Sequence, residues 1–175
     1  MAASLRLACL ALCGLVLAAC QATPVPAGAV HLVRHAEKTT DTPDPGLTPD
    51  GVARAEALAD RLQGAGITAV WSTDYARTRE TAAPLAVRLG LEVQLYDPRD
   101  LPGFAAQLKA APDERVLVVG HSNTTPDLVS ALGGEPGSPI DEASEYDRLY
   151  IVSLVDGATE LQRYGVAYHG GGGDE

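Results

Sequence analysis

The chain has 175 residues, with 13 lysines and arginines against 23 aspartates and glutamates, a formal net charge of −10. So acidic a chain is a poor partner for nucleic acid or for an anionic lipid surface, and any anion it binds needs a local basic pocket. Its length suffices for one domain with a real core. Arg6 precedes residues 7–19, which are wholly apolar or glycine. That run falls short of the roughly 20 residues of a membrane span and reads as the core of a secretory signal peptide over residues 1–19. Cys9 and Cys13 leave with it, so Cys20 is the single cysteine of the remaining 156 residues, and no intramolecular disulfide can form. Loss of Arg6 takes the balance to 12 against 23, or −11.

Residues 20–28 read as a Pro/Ala/Gly tether, 29–168 as one α/β domain and 169–175 as a disordered glycine-rich tail. AVHLV (29–33) is the first strand. Residues 39–47, rich in Thr, Asp, Pro and Gly, form a loop. Thr48 caps a helix that Pro49 opens, with Val52, Ala55, Leu58, Ala59 and Leu62 on its inner face. ITAVW (67–71) is the second strand. Thr73 or Asp74 caps a helix to about Leu89, with Thr78, Ala82, Leu85, Ala86 and Leu89 inward, and Gly90 ends it. LEVQLY (91–96) is a third strand, and Phe104, Ala105 and Leu108 mark a short helix. RVLVVG (115–120) reads as a central strand buried on both faces. Thr125 with Pro126 caps a helix to about Leu132. RLYIVSLV (148–155) and ELQRYGV (160–166) form a hairpin through Asp156-Gly157. Strands alternating with helices imply a three-layer α/β/α sandwich, its sheet mostly parallel with a C-terminal antiparallel hairpin. No internal repeat or second domain is visible.

Two of these strands stop at a histidine, in LVRHAEK (32–38) and VVGHSNT (118–124). Strand ends are where open α/β sheets build their sites. Arg34 offers a permanently charged planar fork that matches phosphate or carboxylate oxygens. His35 can be neutral and nucleophilic near neutral pH. A neutral nucleophile beside a fixed cation suits attack on a phosphate, whose oxygens would otherwise repel it. Arg77 sits in the first turn of the helix after strand two, and His121 precedes a helix N-terminus, which favours anions. Parallel strands bring the three junctions to one sheet edge. The arginines could instead pair with the surplus carboxylates. His31, within its strand, reads as structural, His169 as incidental and Lys38 as a solvated loop residue. Four histidines without a short paired helical spacing give little support to a metal site.

These segments resemble the histidine phosphatase superfamily, the phosphoglycerate mutase-like fold. LVRHAEK resembles its Arg-His-Gly signature with Ala36 for the glycine, as in small members of the SixA type. STDYARTRETA (72–82) is similar to the family's Ser-x-x-x-x-Arg-x-x-x-Thr-Ala segment through Ser72, Arg77, Thr81 and Ala82. VVGHSNT is similar to the segment with the second histidine, and LTPDGVARAEALA (47–59) to a first helix opening Leu-Thr-x-x-Gly. The likeness spans about residues 29–132. It implies His35 as the nucleophile that becomes phosphohistidine, Arg34, Arg77 and His121 as phosphate-binding residues, and neither cofactor nor metal. LVLAAC (15–20) resembles the lipobox of bacterial lipoproteins, which implies a lipid on Cys20 and anchoring in the cell envelope. Gln21 leans toward the periplasmic face of an outer membrane.

One departure stands out. Many members carry a general acid as glutamate after the third strand, within Glu-x-x-x-Gly-x-x-Glu-Gly, whereas this chain has LYDPRDLPGF (95–104). Asp97, Asp100 and Glu37 are the candidates in its place. The missing glutamate and the small size argue against a mutase. The resulting expectation is an exported, lipid-anchored phosphatase acting on a phosphoester or phosphoramidate, carried by a small molecule or a phosphoprotein. A non-catalytic lipoprotein that binds a phosphorylated ligand or protein partner is the alternative.

Overall fold

Only strands covered on both faces can be buried as continuously as 29–34 and 116–120. The computed structural model, which describes residues 28–166, places both at the centre of one six-stranded sheet. Most of the expected signal peptide and tether, Cys20, His169 and the tail lie outside the described residues. In chain order the elements are β1 (Ala29–Arg34), α1 (Pro49–Leu62), β2 (Ala69–Ser72), α2 (Ala76–Leu89), β3 (Val93–Leu95), α3 (Leu101–Lys109), β4 (Arg115–Gly120), α4 (Thr124–Ala131), β5 (Arg148–Ser153) and β6 (Thr159–Arg163). The strands lie in the order β3-β2-β4-β1-β5-β6. The β3–β2, β2–β4 and β4–β1 pairings are parallel, and β1–β5 and β5–β6 are antiparallel.

Alternation along the strands divides the core. Val30, Leu32, Val116 and Val118 pack with Phe104, Leu108, Leu128 and Val129, so α3 and α4 cover one face. Val33, Val70, Leu117 and Val119 pack with Leu58, Leu62, Leu85 and Ala86, so α1 and α2 cover the other. The result is a three-layer α/β/α sandwich with a terminal hairpin. Among the described residues no helix is long and apolar enough to cross a membrane.

Several local expectations needed correction. Val52 is 51 % exposed, because the buried stripe of α1 begins one residue earlier and runs Gly51, Arg54, Ala55, Leu58, Ala59, Leu62. Position 51 is held to glycine because a Cβ there would run into the Glu37 carbonyl. Thr48 caps this helix as expected, accepting from the Gly51 amide at 3.1 Å. Neither Thr73 nor Asp74 caps α2. Tyr75 occupies that position without a capping bond, and the Ala76 amide donates instead to Asp44, at 3.0 and 3.1 Å. Asn123, rather than Thr125, precedes α4, and that helix ends at Ala131 with Leu132 as its cap. β3 keeps only three of its six expected residues. The hairpin strands stop at Ser153 and Arg163, joined by residues 154–158 with Gly157 at φ +74°.

Candidate active site

The register aligns the carboxyl ends of the three parallel strands that build the site. Arg34 lies opposite Gly120, and Ser72 opposite Val119. His35 continues β1, its amide donating to the Gly120 carbonyl at 2.9 Å. His121 continues β4, its amide bonded to Thr124 Oγ1 at 3.0 Å, which turns the chain into α4. Arg77 enters from the first turn of α2. The structure thus brings together Arg34, His35, Arg77 and His121 from three βα junctions. The two imidazole centroids stand 5.5 Å apart, and a cleft of about 580 Å³ opens over His35, Arg77 and His121.

His35 is 3 % exposed. Its Nδ1 lies 2.8 Å from the Ala36 carbonyl oxygen. A carbonyl can only accept, so Nδ1 carries the proton and Nε2 carries the lone pair. Burial, reinforced by the charge of Arg34, the nearby His121 and Arg77, pushes the His35 pKa down to about 3. His121 is pushed down to about 4, by burial first and then by Arg77 and Arg34. Both rings are therefore neutral at physiological pH. His121 Nε2 sits 2.9 Å from Thr73 Oγ1, which in turn reaches Thr78 Oγ1 at 3.0 Å. Hydroxyls both donate and accept, so this pair supports either tautomer of His121.

The arginines are held but not satisfied. Arg34 is buried to 2 %, with one terminal nitrogen donating to the carbonyls of Asp141 (3.3 Å) and Glu145 (3.0 Å) and its guanidinium 4.0 Å from the Tyr146 ring centre. Arg77 stacks on Tyr75 at 4.5 Å and lies 3.7 Å from Asp44. The Nε atoms of both arginines are buried without a hydrogen-bond partner. Buried donors left short are costly unless a ligand completes them. The cluster offers what an oxyanion needs: fixed cations, unused donors and the amino end of α4.

The loop between His35 and α1 is clamped. The Ala36 amide donates to Thr81 Oγ1 at 3.0 Å, and the Glu37 carbonyl accepts from the Thr48 amide at 2.9 Å. This explains the residues of the two motifs: Thr81 braces the loop from α2, while Thr48 and Gly51 let α1 close onto it. Arg54 Nε lies 2.9 Å from both oxygens of Glu37 and its Nη2 2.7 Å from Oε1, and the same guanidinium donates to the carbonyls of Tyr164 and Val166.

The three carboxylates expected as acids have other partners. Glu37 is held by Arg54, Asp97 by Arg99 of its own loop at 3.0 Å, and Asp100 caps α3 by accepting from the Gly103 amide at 3.0 Å. None of them lines the cleft with His35. Lys38, expected to be solvated, stands on its rim. Glu142 and Tyr146, from the connection between α4 and β5, were not singled out in the sequence; that segment carries no local motif. No three histidine, cysteine, aspartate or glutamate residues among those described could hold a metal ion.

The fold and the site together set a neutral imidazole beside a pocket suited to an oxyanion. Among known proteins, residues 30–98 match the histidine phosphatase superfamily (branch 1). An uncharacterised protein of Mycobacterium tuberculosis is 40 % identical over 72 residues, which cover 37 % of this chain and 36 % of the relative. A probable phosphoglycerate mutase of Serratia proteamaculans is 39 % identical over 77 residues, covering 40 % and 35 %. The chain thus spans about a third of the length of these curated relatives. Among solved structures, the protein histidine phosphatase SixA complexed with tungstate superposes with a TM-score of 0.62 at 21 % identity, over 78 % of this chain and 95 % of that one. A putative phosphohistidine phosphatase SixA from Nakamurella multipartitia gives 0.52 at 28 % identity, over 81 % and 98 %. A mycobacterial glucosyl-3-phosphoglycerate phosphatase shares the fold at 0.59 and 16 % identity, over 80 % and 99 %.

Proposed function

We propose that this domain hydrolyses a phosphoester or phosphoramidate in two steps, through a phosphohistidine at His35. One observation carries the reading: the Ala36 carbonyl holds the proton on Nδ1 and leaves Nε2 as a neutral nucleophile, beside two arginines with unused donors. The lone pair of Nε2 attacks phosphorus as the opposite bond to the leaving oxygen or nitrogen breaks, and the leaving group departs with that electron pair. Arg34, Arg77 and His121 hold the non-bridging oxygens, so positioning and fixed charge carry the step. Water then attacks the phosphohistidine, inorganic phosphate leaves, and Nε2 regains its lone pair. The substrate is a phosphorylated small molecule or phosphoprotein.

Rapid quenching after mixing with labelled substrate should give acid-labile phosphate on the wild-type protein and none on His35→Ala. Hydrolysis of p-nitrophenyl phosphate should fall by roughly 10³-fold or more in that variant. A second reading, phosphate binding without turnover, draws on the engagement of Glu37, Asp97 and Asp100 elsewhere. It requires phosphate to bind with neither label nor turnover in the wild type.

The apolar run 7–19 and the LVLAAC segment support a lipid anchor on Cys20 and a place in the cell envelope, at the periplasmic face of the outer membrane where there are two membranes. Cys20→Ser should move the protein from the membrane to the soluble fraction; unchanged membrane association overturns the anchor.

A further inference from the structure

Glu142 contributes the single carboxylate among the described side chains that line the His35 cleft. The same residue, with Ser122 and Asn123, also lines an adjoining groove of about 360 Å³. The groove is otherwise walled by Pro126, Asp127, Gly137, Pro139 and Ile140 and contains no cationic side chain. A phosphoryl group held by Arg34, His35, Arg77 and His121 leaves its organic part to extend out of this pocket. In-line displacement sets the leaving oxygen opposite His35 Nε2. A groove without cations suits an uncharged alcohol better than an anionic group.

We propose that Glu142 is the general acid of the reaction, protonating the leaving oxygen of a substrate whose organic group occupies this groove. The inference rests on the phosphohistidine reading. As the bond from His35 Nε2 to phosphorus forms, the bond to the leaving oxygen breaks. That oxygen keeps the electron pair, takes the proton of the Glu142 carboxyl and departs as an alcohol. In the second step the Glu142 carboxylate takes a proton from the attacking water. The new P–O bond forms as the P–N bond breaks, and phosphate departs with His35 neutral and Glu142 protonated again. The role falls to Glu142 because the described residues give the cleft no other carboxylate.

The test is a series of phenyl and alkyl phosphates of rising leaving-group pKa, run on the wild type, Glu142→Gln and Glu142→Asp. A general acid contributes about 10²–10⁴-fold when the leaving group is basic and far less when it leaves unaided. Glu142→Gln should therefore lose about 100-fold or more in kcat on an alkyl phosphate, with a much smaller loss on p-nitrophenyl phosphate. A plot of log kcat/KM against leaving-group pKa should steepen, and Glu142→Asp should restore part of the alkyl activity. Equal losses across the series, or unimpaired alkyl phosphate hydrolysis, overturn the acid while leaving His35-dependent turnover intact. A wild-type protein without His35-dependent turnover overturns this inference together with the reading beneath it.

Discussion

Two buried arginine sites flank the loop that carries His35, and they are built in opposite ways. At Arg54 the guanidinium meets a carboxylate and two carbonyls, so the charge is balanced and its donors are used. At Arg34, and likewise at Arg77, a buried donor has no partner and burial or stacking holds the cation in place. The first arrangement is a clasp that fixes the loop around His35, and the second is a socket short of one anion. Arg54 has every guanidinium nitrogen engaged, whereas Arg34 and Arg77, the latter even with Asp44 at 3.7 Å, each keep a buried Nε donor unused.

Breaking the clasp should have the largest effect. Removing one partner of a buried ion pair leaves the other uncompensated, at a cost of about 3–5 kcal/mol. Glu37→Ala should accordingly lower the melting temperature by roughly 10 °C or more. Replacing both partners by apolar residues, as in Glu37→Leu with Arg54→Met, should recover part of that loss by calorimetry. If the double variant melts below Glu37→Ala, the uncompensated Arg54 charge is not what destabilises the single variant. Opening the socket should leave melting nearly intact and cost activity instead. Arg77→Ala should reduce kcat by about 10²–10³-fold, the usual effect of losing one donor to transition-state charge. A large fall in melting temperature would show that Arg77 belongs with Arg54.

The smallest effect is a pH dependence of stability. His31, His35 and His121 all have pKa values lowered chiefly by burial, the last two to about 3 and about 4. The unfolded chain takes up protons on these rings as pH falls through 6.5, while the folded chain does not. Stability is therefore fully present above that value and is lost as pH drops toward 4. Melting temperatures measured from pH 7 to 4.5 should decline, and the slope should be shallower in His121→Ala. An unchanged slope in that variant would contradict the low pKa of His121.

What the sequence made legible was whatever local chemistry writes into adjacent residues. The strand-ending histidines, the Thr48-Pro49 start of α1 and the position of Arg77 are all short-range signals. The misses are long-range. The carboxylate at the head of α2 comes from Asp44, 32 residues upstream, and no local capping rule can see it. Glu37 looked available because it follows the nucleophile, but Arg54 reaches it only once α1 folds back over the loop. Asp100 is different. An aspartate just before Leu101-Pro102 is itself a helix-start signal, and its carboxylate serves that local role by accepting from the Gly103 amide.

The central position of β1 also sets an order of assembly. It is the first of the described strands to leave the ribosome, yet its hydrogen-bonding neighbours are β4 and β5, which are made much later. Until residues 115–120 and 148–153 exist, the strand leading to His35 has neither edge paired. The clasp beside it is complete only when the carbonyls of Tyr164 and Val166 reach Arg54. Such long-range pairing makes folding slow. An incomplete nascent chain therefore lacks the paired strands that hold Arg34 and His35 at the edge of the sheet.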